Sequence, residues 1–148
     1  MKWEYGPIEI TTKIGCSNMC EYCPQTTLIK RYKDKTVTFD GTKSDDRDKM
    51  MSLKTFQKCI STIPPNIDLH FTGYVEPFLN PAAIDMIEHA SKKGHRMMVN
   101  TTLVGMTKDI WARLGKIDKA TLKDIHIHLP SASYDENIGV KRPFKRLP

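Results

Sequence analysis

The sequence contains no apolar run near the roughly 20 residues that a helix needs to cross a bilayer, so no membrane segment is expected. Its opening, MKWEYGP, lacks the basic-then-apolar form of a signal peptide. There is no disulfide framework either: of four cysteines in 148 residues, three crowd into one loop. Thiols placed this way suit a reducing compartment, where they stay available for metal, and a cytoplasmic location is expected. A concentrated field of one sign is also missing. The net charge of +6, from 23 Lys+Arg against 17 Asp+Glu, is dispersed along the chain. Only Lys30-Arg31-Tyr32-Lys33 and the tail Lys141 to Arg146 are densely basic. Solvated faces explain such runs, so nucleic acid is not an expected partner.

What remains is a chain with 39% hydrophobic and 27% charged residues, the composition of one globular domain over residues 1–148. Ile8 to Ile14 alternates apolar and polar with β-branched residues and reads as a strand. Residues 26–50 are polar and charged, with a turn at Asp40-Gly41, and read as a long insertion loop. Ser52 is placed to cap a helix running to about Thr62, with Leu53, Phe56, Ile60 and Ile63 on one face. Pro64-Pro65 ends it, and Asp68 to Thr72 is the second strand. Asn80-Pro81 starts a helix that turns Ile84, Ile87 and Ala90 inward and stops at Gly94. Arg96 to Thr102 forms the third strand; Thr107 caps a helix bearing Ile110, Trp111 and Leu114; Leu122 to Leu129 forms the fourth strand. Residues 131–148 show no pattern. The expected fold is therefore α/β, with a parallel sheet built from repeated βα units.

Each strand has one apolar and one mostly polar face. Ile8, Ile10 and Ile14 oppose Glu9, Thr11 and Lys13; Leu69 and Phe71 oppose His70 and Thr72. Met97 and Val99 oppose Met98, Asn100 and Thr102; Ile125, Ile127 and Leu129 oppose His126 and His128. A sheet covered by helices on both sides would be apolar throughout. This pattern instead predicts helices outside and a polar concavity inside, a partial parallel (β/α) barrel of about four βα units. Ligands in such folds sit at the carboxyl ends of the strands. The cysteine loop, Gly73 to Glu76, Thr101-Thr102 and His128 all fall on that rim.

The cysteines, Cys16, Cys20 and Cys23, are spaced C-x3-C-x2-C. Three thiolates suit a soft metal centre, and the missing fourth protein ligand leaves one metal position open to chemistry. Zinc is the rival, with Cys59 or a histidine as fourth ligand, but structural zinc sites pair two cysteine knuckles and no second knuckle exists. Cys59, beside Ile60 on the first helix, reads as an ordinary buried thiol. His89 and His95 read as surface residues flanking a helix end. His70, His126 and His128 lie on the polar face, either as candidate catalytic groups or as hydrogen-bonded lining. Glu76 is a cofactor ligand or a loop carboxylate, and Asn100 and Thr102 are ligands or strand-end caps.

With an aromatic residue before its last cysteine, the motif resembles the signature of the radical S-adenosylmethionine (SAM) enzymes. The resemblance extends to Cys23-Pro24-Gln25 and to Met51-Ser52-Leu53-Lys54-Thr55-Phe56 at the start of the first helix. Phe71 to Pro81, through Gly73-Tyr74-Val75-Glu76-Pro77, looks like the family's glycine-glycine-glutamate-proline segment, and Val99 to Thr102 like its third-strand ending. The match covers about residues 8–130 and is similar in character to members carrying SPASM-type extensions, with no such extension present.

The resemblance implies a 4Fe-4S cluster held by Cys16, Cys20 and Cys23, with SAM on the fourth iron. It implies reductive cleavage of SAM to a 5′-deoxyadenosyl radical that abstracts hydrogen from a small molecule or peptide. It further implies an electron donor such as a flavodoxin or ferredoxin. Tyr22, Gly73, Tyr74, Val75, Glu76, Asn100, Thr102 and His128 would border SAM, with the carboxylate of Glu76 meeting its amino group. Val75 departs from the family's second glycine, and His128 from a frequent serine. The family core is a (β/α)6 partial barrel, so four readable strands imply a fragment, a truncated product or a site completed by another chain. A non-catalytic iron–sulfur domain, acting as scaffold or electron carrier, is the alternative function.

Overall fold

A computed structural model describes residues 6–16, 24, 27, 50–73 and 75–128. Four strands, β1 (Ile8–Ile10), β2 (Leu69–Phe71), β3 (Met97–Thr101) and β4 (Leu122–Ile127), form one sheet in the order β1-β2-β3-β4. Every neighbouring pair is parallel. Among the described residues three helices join them: α1 (Leu53–Ile60), α2 (Ala83–Lys92) and α3 (Lys108–Leu114), with a 3-10 turn at Pro77–Leu79. The α/β architecture expected from the sequence is present, and the partial βα sheet is its core.

The period-two alternation decides which face is packed. Leu69, Phe71, Met97 and Val99 are buried, whereas His70, Met98 and Asn100 between them are half-buried. Phe56 and Ile60 of α1, Ile84, Met86, Ile87 and Ala90 of α2, and Ile110 and Leu114 of α3 all join the same core cluster. All three helices thus cover one face. Phe56 reaches Phe71 with ring centroids 5.8 Å apart in a tilted arrangement. On the other face the strand register sets Glu9, His70, Met98 and Asp124 in one row and pairs Asn100 with His126.

Local chemistry explains the helix ends. The Ser52 hydroxyl accepts from the Thr55 amide at 3.1 Å, and the Thr107 hydroxyl accepts from Ile110 at 3.1 Å, so both expected caps form. Asn80 acts one turn early: its side-chain oxygen accepts from Ala82 at 2.9 Å, and regular helix starts at Ala83. Arg113 ties α3 to α2 through Glu88 and Asp85.

Several expectations need correction. The first strand ends at Ile10, because Thr12 leaves the ladder and Lys13 pairs with Met50 in an antiparallel bridge. Cys59 is exposed, not buried, and Trp111 is 53% exposed. Each sits one residue off its helix's buried stripe (Phe56 and Ile60; Ile110 and Leu114), about 100° round the helix. His95 is buried rather than superficial. After Gly94 turns at φ +83°, the His95 amide donates to Ala90 O at 3.1 Å and that of Gly94 to Ser91 O at 2.9 Å. This Schellman closure tucks the residue after the glycine under the helix end. Its ring nitrogen Nδ1 then lies 3.3 Å from Ile67 O. The insertion loop, apart from its ends, and Leu129 with the tail lie outside the described residues.

Candidate functional site

At the carboxyl end of the sheet the polar side chains gather. Gly15, at φ +93°, turns the chain out of the first strand into Cys16, which is half-buried on the rim. Cys20, Cys23, Tyr22 and Tyr74 lie outside the described residues. Among the described residues no group of three or more His, Cys, Asp or Glu is gathered to hold a metal ion.

Gly73 follows β2 at φ +109°, and a Cβ there would stand 2.6 Å from the Thr11 hydroxyl. Only glycine lets the loop after β2 lie this close to the first strand. Val75 beyond it is half-buried. Glu76 is only 3% exposed, and its carboxylate points into the protein. Oε1 accepts from the Thr101 hydroxyl at 2.7 Å and the Phe78 amide at 3.3 Å. Oε2 accepts from the Thr102 amide at 2.6 Å and the Thr102 hydroxyl at 2.9 Å. Burial raises its pKa above the ordinary carboxylate value, against the lowering effect of these four donors.

The turn after Glu76 is tied to the first strand as well. The Thr12 hydroxyl donates to Pro77 O at 3.0 Å, and Asn80 Nδ2 donates to Thr12 O at 2.8 Å and Met51 O at 2.9 Å. The Met51 amide also donates to Thr12 O, at 2.9 Å. On the other side Gly105, at φ +86°, lets its loop lie on Phe78, where a Cβ would stand 2.5 Å from the carbonyl oxygen. The segment 76–80 therefore joins the stem of the cysteine loop, the start of α1 and the loop after β3.

The other candidates divide between this hub and the polar face. Thr102 belongs to the hub through Glu76. Asn100 Nδ2 donates to the Thr72 hydroxyl at 2.9 Å, while its Oδ1 is buried and meets no donor among the described residues. His70 is half-buried on the same face, and His126 and His128 are exposed. The His128 amide donates to Thr101 O at 2.8 Å, which seats its backbone against the end of β3. Sequence reasoning missed Thr12, placed Thr101 on the rim without seeing its bond to Glu76, and saw Asn80 only as a cap. Their partners lie 65, 25 and 68 positions away, so no local pattern marks them.

No protein-family model matches the sequence, and no curated protein matches it. Solved structures do. BtrN in complex with AdoMet and 2-DOIA superposes with a TM-score of 0.54 at 16% identity, over 86% of this chain and 46% of that one. The chain shares the BtrN fold. Selenomethionine BtrN in an open conformation gives 0.57 at 16% identity, over 93% of this chain and 56% of that one. The chain thus spans about half the length of the BtrN chains it matches. At this identity the likeness concerns the fold.

Proposed function

We propose that this chain carries the cofactor-binding core of a radical SAM enzyme, with a 4Fe-4S cluster held by Cys16, Cys20 and Cys23. The observation that supports the reading is where the C-x3-C-x2-C motif begins. Its first cysteine, Cys16, follows the turn at Gly15 beyond the carboxyl end of the first strand, at the end of the sheet where the segments after β2 and β3 also start, in a fold shared with a protein crystallised with AdoMet. The donor set fits: three thiolates are the ligands iron–sulfur clusters take, and no fourth cysteine belongs to the motif. The buried Oδ1 of Asn100, without a donor among the described residues, offers an acceptor on the polar face for an amine or hydroxyl that SAM or a substrate would bring.

When bound, the cluster would supply the electron that cleaves the C5′–S bond of SAM and yields a 5′-deoxyadenosyl radical for hydrogen abstraction. The chain's own part is to bind and orient. Gly73 to Glu76, with Tyr22, Asn100, Thr102 and His128, border the SAM position in this reading. His70 and His126 line the floor on which a small molecule or peptide would lie. A flavodoxin or ferredoxin would deliver the electron. Within the superfamily this reading takes the chain as SPASM-like in character.

Anaerobic reconstitution with iron and sulfide, then dithionite and SAM, tests the reading. Release of 5′-deoxyadenosine is expected. Replacing Cys16 with Ala should abolish cluster absorbance, while Cys59→Ala should leave it unchanged. A normal cluster that leaves SAM intact would support the scaffold or electron-carrier function instead. Bound zinc with no charge-transfer absorption would contradict both.

A further inference from the structure

We infer that Glu76 is a positioning residue: its carboxylate locks the loop after β2 onto the end of β3 and does not itself contact the ligand held on the rim. A carboxylate offers about four lone-pair sites. All four here are filled from within the chain, by Thr101, Phe78 and the two donors of Thr102. The residue is 3% exposed, so an incoming ammonium would meet neither a free acceptor nor an open path.

The donors come from the two segments whose relative placement shapes the rim. Phe78 belongs to the turn that follows Glu76, and Thr101 and Thr102 end β3. The Thr101 hydroxyl also accepts from the Leu103 amide at 2.9 Å, and Leu103 stands at φ +64°, a conformation rare for a side-chain-bearing residue. The carboxylate thereby extends its hold through Thr101 to the left-handed turn, and Gly105 completes the contact on Phe78. Hydrogen bonds to an ionised group in a buried setting are short and directional, which suits a group that fixes backbone. What it fixes is the course of residues 76–80 and 102–106, leaving backbone groups to face the ligand.

This inference predicts that Thr101, which lies on the core face, matters to the rim as much as Glu76 does. Two measurements separate it from direct contact. The first is amide hydrogen exchange on the metal-free chain. Glu76→Gln and Thr101→Val should each lower protection at 76–80 and 102–106 by about tenfold or more, with α2 and the start of β3 unchanged. Thr101→Ser, which keeps the hydroxyl, should restore protection. Unchanged exchange at 76–80 in both variants would overturn the inference.

The second is SAM affinity of the reconstituted protein by equilibrium dialysis, which rests on the function proposed above. Both single variants should weaken SAM by about tenfold or more, and the double variant no further than either alone. Loss in Glu76→Gln with none in Thr101→Val would show direct contact and overturn it. If the wild type binds no SAM, the proposed function fails, and the exchange measurement still decides the role of Glu76.

Discussion

The two ends of the sheet use polar residues differently. At the amino end Arg96 meets Asp68 at 2.7 Å with both side chains well exposed, and the two buried polar residues there, His95 and Thr121, each make one side-chain contact to another segment, with Ile67 O and Ser91. At the carboxyl end Thr12, Glu76, Asn80 and Thr101 are all buried, and each bonds across to another segment. Burying polar groups costs stability unless every one finds a partner, and an apolar rim would hold loops together more cheaply. What polar groups add is direction. The difference teaches that the carboxyl end is built to hold loops in fixed places, and the cysteine motif leaves from it.

Two glycines with nearly equal φ break this comparison most strongly. Gly94, at φ +83° at the amino end, has room: its added Cβ would lie 4.0 Å from Pro65. Gly94→Ala should lower stability by about 1 to 2 kcal/mol, the cost of a left-handed alanine. Gly105, at φ +86°, would also drive its Cβ to 2.5 Å from the Phe78 carbonyl oxygen. Gly105→Ala should lose about 1 to 3 kcal/mol more. Urea midpoints compare them, and equal losses would mean the rim yields as easily as the opposite end.

Acid–base behaviour sharpens the contrast on a smaller scale. Glu76 holds its proton more tightly when folded, chiefly through burial, so its contribution is greatest below pH 4.5 and falls as pH rises through the folded value. Glu88, on the outer surface, has its pKa lowered chiefly by the hydrogen bonds from Arg113. Its contribution is present above pH 4.5 and is lost as pH falls through the folded value. In urea unfolding across pH, Glu76→Gln should flatten the decline above pH 4.5, and Glu88→Gln the loss below it. The smallest effect belongs to the exposed pair: Arg96→Ala should move stability by no more than about 1 kcal/mol in the same assay.

The sheet was legible in the sequence because its signals are local. Alternation at Leu69 to Phe71 and Met97 to Thr101, and the caps at Ser52 and Thr107, depend on neighbours within a turn or two. The burial of His95 had a signal in Gly94, whose closure draws in the residue after it, but polar character argued the other way. The hub had none. Thr12 reads as an ordinary strand residue and Thr101 as a strand ending on the rim, and only the folded chain brings them to Pro77 and Glu76. The cysteine spacing pointed to a metal centre without any help from contacts, while the way Glu76 faces required them.

The central claim is that Cys16, Cys20 and Cys23 hold a cluster with one iron left for SAM. Electron paramagnetic resonance of the reconstituted, dithionite-reduced protein, with and without SAM, tests it most directly. A reduced 4Fe-4S signal that changes shape when SAM is added is the predicted result. A signal indifferent to SAM, or one that survives Cys16→Ala unchanged, would contradict it.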